Sequence, residues 1–304
     1  MIQFDDVHIS YGKQRVLQGL NFTAADGRVT GLVGPNGAGK STAFKILLGL
    51  LAPDRGSARI DRVPFAQHLT PGLALGTYLG PHHIPGALTG RGFLEWTANL
   101  LAVPADDLDP YLASVGLTQA ADRRITGYSL GMRQRLGVAA AFVGEPQNLV
   151  LDEPVNGLDI EGVHWLRERL LQAADQGRCV LLSSHVLSEL ELVADDVVML
   201  GGGRAARQGT MQELRAGDVE VVVVVSDDNQ RLAEDLRTAG LAADVVGGEL
   251  HVRHSSVNYV AAAAAVSSVP LQSVARSARR LEDVYLEQVH LTAAAASNGK
   301  ETRA

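Results

Sequence analysis

Apolar and polar residues alternate along the first two dozen positions, with Ile2, Phe4, Val7 and Ile9 spaced for one strand and Val16, Leu20 and Phe22 for a second. A continuous apolar run follows at Val29–Val33, then a glycine-rich turn at Gly34–Gly39 and a helical stretch from Lys40 through Leu50. The segment from about Pro85 to Leu136 reads mostly helical, punctuated by Pro104 and Pro110. Two more short apolar strands, Leu149–Leu151 and Cys179–Leu182, stop at Asp152-Glu153-Pro154 and Ser183-Ser184-His185. Strands that alternate with helices predict an α/β unit. Its parallel sheet carries helices on both faces and gathers chemistry at the carboxyl ends of its strands.

After Gly217 the pattern changes. A strand is predicted at Val219–Val225, then a helix from near Asp227 with Leu232 and Leu236 on one face, stopped by Gly240. Strands at Ala242–Val246 and Glu249–Arg253 flank a Gly247-Gly248 hairpin, and a helix through Tyr259–Val266 leads to a strand at Leu271–Ala275. The order β-α-β-β-α-β predicts a small α+β, ferredoxin-like domain over residues 218–292. A last helix is expected at Leu281–Val289, and a disordered tail over residues 293–304.

A net charge of −7, with no basic stripe to follow a phosphate backbone, argues against nucleic acid as a direct partner. The single cysteine, Cys179, has no partner for an intramolecular disulfide, which suits a reducing compartment, and its place in an apolar strand reads as a buried small residue. The N-terminus, Met1-Ile2-Gln3-Phe4-Asp5-Asp6, lacks the order of a signal peptide, and no apolar stretch reaches the roughly 18 residues of a membrane helix. The chain is therefore expected not to cross a membrane by itself.

Gly34-Pro35-Asn36-Gly37-Ala38-Gly39-Lys40-Ser41 fits the phosphate-loop pattern G-x-x-x-x-G-K-[ST] without mismatch, between an apolar strand and a helix. Such a loop turns its backbone N–H groups inward around phosphate oxygens, and the following helix adds the positive end of its dipole. Lys40 would reach the β- and γ-phosphates, and the Ser41 hydroxyl would ligate Mg²⁺. Asp152 and Glu153 stand just beyond a buried strand, where an acidic pair alone also fits a solvated strand end. Beside a phosphate loop the pair gains a role: Asp152 in the Mg²⁺ shell, Glu153 orienting or deprotonating the attacking water. His185 ends a strand expected to neighbour both, within reach of the γ-phosphate; by itself a histidine there is more often structural.

The loop and the acidic strand suit many nucleotide hydrolases. The discriminating segment is Tyr128-Ser129-Leu130-Gly131-Met132-Arg133-Gln134-Arg135, followed after the acids by Asn156-Gly157-Leu158-Asp159. With these, residues from Met1 to about Leu214 resemble the nucleotide-binding subunits of ATP-binding-cassette transporters. The resemblance implies a cassette domain over residues 1–217, a P-loop nucleotide hydrolase core with antiparallel N-terminal strands and a helical subdomain at about 85–136. It implies ATP binding by Gly34, Pro35, Asn36, Gly37, Ala38, Gly39, Lys40, Ser41 and Thr42, with Tyr11 against the adenine. Tyr11 alone reads equally well as a strand-edge tyrosine. Catalysis would rest on Glu153, His185 and Lys40, and the metal on Ser41 and Asp152. Ser129 and Gly131 would meet the ATP of a second copy in a head-to-tail dimer, with Asp159 in the loop coupling the two sites. The remaining partner would be an integral membrane permease, holding the subunit at the cytoplasmic face of the cell membrane.

Two departures from the family pattern stand out. The signature is usually Ser-Gly-Gly-Gln; here it is Ser129-Leu130-Gly131-Met132, resembling a branch paired with separately encoded export permeases. The glutamine expected after the strand near Leu75–Leu79 is replaced by Gly80, followed by Pro81-His82-His83, which leaves water or one of the histidines to complete the Mg²⁺ shell; water is favoured because Mg²⁺ keeps waters and prefers oxygen ligands. The expected activity is ATP hydrolysis coupled to export of a solute. The competing expectation, a soluble cassette ATPase acting on a macromolecule, usually has two cassettes or a long coiled-coil insertion, and the sequence carries neither.

Overall fold

The computed structural model describes residues 1–105, 107–215, 221–253, 255–277 and 280–286. The described residues form two compact units, Met1–Met211 together with Tyr285 and Leu286, and Gln212–Val284.

In the first unit, β1 (Ile2–Tyr11), β2 (Gln14–Ala24) and β4 (Arg55–Ile60) make an antiparallel sheet in the order β2-β1-β4. A second, six-stranded sheet contains β3 (Val29–Val33), β5 (Leu75–Tyr78), β6 (Asn148–Leu151), β7 (Cys179–Ser184), β8 (Asp196–Gly201) and β9 (Arg204–Thr210). Its order is β5-β6-β7-β3-β8-β9, parallel except for the edge pair β8 and β9. β3, β6 and β7 are buried along their whole length, which is why they read as unbroken apolar runs rather than alternation. Both sheets contribute to one core, where Phe4 and Phe22 stack with ring centroids 4.6 Å apart.

The N-terminal alternation holds only in pieces. Ile2, Phe4, Val7 and Ile9 are all buried, because an irregularity between Phe4 and Val7, with Asp6 at φ 45°, resets the phase. On β2, Leu17 rather than the expected Val16 enters the core; Gly19, at φ 90°, lies between Leu17 and Leu20. The helix after the phosphate loop runs Lys40–Leu47, short of the expected Leu50, since Gly49 turns the chain away at φ 69°. Strands β4, β8 and β9 were not foreseen; β4 and β9 mix apolar and charged residues.

The mainly helical segment holds helices Gly90–Leu101, Asp109–Ser114 and Leu130–Ala141, packed around Leu94, Leu112, Ile125 and Leu136. The last of these continues past Leu136 onto β5. Two glycines permit that contact: a Cβ on Gly76 would lie 1.9 Å from the Ala141 carbonyl, and one on Gly137 would lie 2.5 Å from the Tyr78 ring.

The second unit contains β10 (Val221–Ser226), β11 (Ala242–Val246), β12 (Glu249–Arg253) and β13 (Leu271–Ser277), antiparallel throughout in the order β11-β12-β10-β13. Helices Asn229–Thr238 and Val257–Val266 are capped by Asp228 and Ser256 and bury Leu232, Leu236 and Val260 in a separate core. Residues 281–286 are helical. The expected boundary at residue 217, the strand start at Val219, the helix end at Val289 and the tail over 293–304 lie outside the described residues. Among the described residues no helix is long and apolar enough to cross a membrane.

Candidate functional site

The strand order places β7 between β6 and β3, so the phosphate loop, the acidic pair and His185 leave three adjacent strands at the same end. Neighbouring strands are about 4.8 Å apart, which brings motifs more than a hundred residues apart in sequence within side-chain reach.

The loop from Gly34 runs into the helix Lys40–Leu47 with Gly37 at φ 82° and Gly39 at φ 108°, conformations that an L side chain avoids. A Cβ on Gly39 would come within 2.6 Å of Leu17 Cδ2, a side chain fixed in the core. Lys40 is only 7% exposed, and its Nζ donates to the Gly34 carbonyl at 2.7 Å. Pro35, Asn36, Gly37 and Ser41 are exposed, with Ala38 and Thr42 partly so. Tyr11 stands at the hairpin between β1 and β2, half-exposed.

The acids are held by their backbones as much as by their charges. The Asp152 N–H donates to the Tyr78 carbonyl at 2.7 Å. Ser183, fully buried on β7, donates its hydroxyl proton to Asp152 Oδ1 at 2.6 Å and accepts the Glu153 N–H at 2.8 Å. Glu153 itself sits at φ 49°, a left-handed conformation that costs a non-glycine residue about 1–2 kcal/mol. Its carboxylate lies 3.5 Å from Lys40 Nζ and 2.7 Å from Nδ1 of the half-exposed His185, whose backbone N–H also points at it. Lys40, Glu153 and His185 therefore converge.

Ser129 and Gly131 lie elsewhere on the same chain. Ser129 caps the helix Leu130–Ala141, its hydroxyl accepting the Met132 N–H at 3.2 Å. A Cβ on Gly131 would lie 2.8 Å from the Gly157 carbonyl, so the segment beginning at Ser129 packs directly on Asn156-Gly157-Leu158-Asp159. Asp159 caps the helix Ile160–Asp175 through the Gly162 N–H and pairs with Arg135; these two partners, in that order, hold its pKa below the ordinary carboxylate value.

Three functional candidates escaped the sequence reading: Ser183, Tyr78 and Gln134. Gln134 is 1% exposed; its side-chain nitrogen donates to the Glu153 and Pro154 carbonyls at 3.1 and 2.8 Å, and its oxygen accepts the Tyr78 hydroxyl. Burial, with Asp152 nearby, pushes the Tyr78 pKa upward, so that hydroxyl stays protonated and donates. Gln134 gave no signal in the sequence, because it stands between Arg133 and Arg135 and reads as one more polar residue. Gly80 is more than a missing side chain: at φ 104° and ψ 163° it occupies a region essentially reserved for glycine, so a glutamine there would be strained although space is open. His82 and His83 beside it are exposed.

Ser41 and Asp152 supply a hydroxyl and a carboxylate, the hard oxygen donors that suit a cation retaining several waters. Ser183 engages one carboxylate oxygen of Asp152 and orients the group. The donor set fits Mg²⁺.

The family model described as ABC transporter matches residues 17–156. The chain is 34% identical to the lantibiotic transport ATP-binding protein SrtF of Streptococcus pyogenes over 204 residues, covering 67% of this chain and 88% of that protein. It is 33% identical to the Nod factor export ATP-binding protein I of Paraburkholderia xenovorans, covering 77% and 80%. Among solved structures, an ATP-binding subunit of an ABC transporter superposes with a TM-score of 0.66 at 30% identity, covering 71% of this chain and 92% of that one. A dimeric post-hydrolysis ATP-binding cassette with ADP and Pi shares the fold, with a TM-score of 0.61 at 19% identity over 69% and 99%.

Proposed function

This chain belongs to the ATP-binding subunits of ABC transporters, and we propose on that premise that it hydrolyses ATP to power a membrane permease that exports a solute. The observation that carries this reading is the convergence of Lys40, Glu153 and His185 at the ends of three neighbouring strands.

In this reading the backbone from Gly34 to Thr42 cradles the phosphates, Tyr11 offers its exposed ring to the adenine, and Lys40 moves its ammonium from the Gly34 carbonyl to the β- and γ-phosphates. Ser41 and Asp152 would hold Mg²⁺, which when bound would supply positive charge against the phosphates. Glu153 orients and deprotonates the attacking water, and His185, hydrogen-bonded to that carboxylate, reaches the γ-phosphate.

Ser129 and Gly131 complete the site of a second copy in a head-to-tail dimer, so that ATP joins the two subunits and hydrolysis releases them. Ser129 is exposed at the start of its helix, where a second copy can reach it, and this supports a role in trans. Asp159, packed against the same turn, relays between the two sites. The permease docks beside Gly80, where Ile84, Phe93, Trp96 and Leu101 line an apolar groove of about 330 Å³; that contact holds the subunit at the cytoplasmic face of the membrane. For residues 218–292, the strand order β11-β12-β10-β13 supports the ferredoxin-like reading.

The test is reconstitution in liposomes with a six-helix permease encoded beside this chain, with the subunit and ATP on the outside. Transport that requires ATP and stops with Lys40→Ala is expected. ATP hydrolysis with no association with any membrane partner would support the soluble-ATPase alternative instead.

A further inference from the structure

The catalytic assignment above leaves Glu153 in an awkward position. A residue at φ 49° reverts to ordinary backbone angles unless its peptide groups are gripped on both sides. Ser183 grips the N–H side from β7. The carbonyl side is gripped from a different part of the fold, by Gln134 on the helix Leu130–Ala141.

Gln134 is well made for this. One side-chain nitrogen carries two protons, and both are used, on the carbonyls of Glu153 and Pro154. The amide could present its oxygen to those carbonyls if it turned over, but the Tyr78 hydroxyl donates to that oxygen and fixes the orientation. Tyr78 is 3% exposed, and its own carbonyl accepts the Asp152 N–H, so one residue of β5 steers both acids. Gly137, one turn beyond Gln134, is the space in which the Tyr78 ring lies.

We propose that Gln134, oriented by Tyr78, is a positioning residue for hydrolysis: it locks the backbone of Glu153 in its left-handed conformation and so aims the carboxylate at the attacking water. The helix that carries this lock begins at Ser129, so the segment assigned to the second copy's ATP is tied to the base of its own chain's site. Met132 lacks an amide; Gln134, two residues on, brings one inward to the chain's own acids.

The inference rests on the assignment of Glu153 as base, and the experiment separates the two. Gln134→Met keeps the length and volume of the side chain and removes both donors. The steady-state ATPase of the full chain should lose about tenfold or more in kcat while KM and the affinity for a non-hydrolysable ATP analogue stay within about twofold. Tyr78→Phe frees the amide to turn and should lose about two- to fivefold in kcat. The double variant should match Gln134→Met alone, because the tyrosine acts only through the glutamine. Should Gln134→Met fail to fold, Tyr78→Phe decides by the same kcat-against-KM split. Unchanged kcat in Tyr78→Phe and Gln134→Met, or a loss confined to KM, overturns the inference while an inactive Glu153→Gln leaves the catalytic assignment standing. Full turnover in Glu153→Gln overturns both.

Discussion

Ser183→Ala removes one oxygen atom from the centre of the site and should cost far more than its size suggests. The hydroxyl donates to the Asp152 carboxylate at 2.6 Å and accepts the Glu153 N–H at 2.8 Å, from a side chain with no exposed surface. A hydrogen bond to a charged group contributes about 1.5–3 kcal/mol, and a buried N–H left unpaired costs about 1–3 kcal/mol. Both acids are partly exposed, so water can replace some of this. A net loss of about 1.5–2.5 kcal/mol in holding the two acids is the reasonable figure. If it falls on the transition state, at about 1.4 kcal/mol per tenfold in rate, kcat drops about ten- to seventyfold. Phosphate release at saturating ATP and Mg²⁺ measures kcat, and a fluorescent ATP analogue measures binding, which should change little. Thermal unfolding shows whether the core survives. A variant with intact Tm and kcat within twofold of wild type would refute the idea that Ser183 holds the acids.

Two further outcomes follow from the same geometry. Gly39→Ala places a methyl where Leu17 already lies and forces a side chain to φ 108°; strain of about 1–2 kcal/mol should weaken ATP binding about five- to thirtyfold, measured by titration calorimetry. Asp159 has a folded pKa below its unfolded value, so its contribution to stability is present above the unfolded pKa and is lost as pH falls through the folded one. The stability gap between wild type and Asp159→Ala, from urea unfolding, should therefore be steady from neutrality down to about pH 5 and close below about pH 4; a gap that widened in acid would contradict the cap.

What the sequence made legible was local. The phosphate loop is read from eight consecutive residues, because the glycines that allow its turn and the lysine that serves it are chain neighbours. The acidic pair and His185 were equally visible, each at the end of an apolar run, and the parallel sheet that joins them follows from the alternation of strands and helices. The hidden features depend on partners far along the chain. Gln134 grips Glu153 across nineteen residues of sequence, and Ser183 does so across thirty, so neither leaves a periodic signal. The irregularity at Asp6 and the glycine-only conformation of Gly80 are backbone events that side-chain patterning does not encode. Strand β9 escaped because none of its positions is buried, and half-buried Ala205, Arg207 and Gly209 barely differ in hydropathy from its exposed residues.

The central claim, that Glu153 drives hydrolysis of ATP shared between two copies, is tested most directly with Glu153→Gln. The substitution keeps the size of the side chain and removes the base. Size-exclusion chromatography of this variant with ATP and Mg²⁺ should show a stable dimer that is absent without nucleotide, and the Lys40→Ala variant should elute as a monomer under both conditions. A Glu153→Gln protein that stays monomeric with ATP bound, or that turns ATP over at the wild-type rate, would contradict the account.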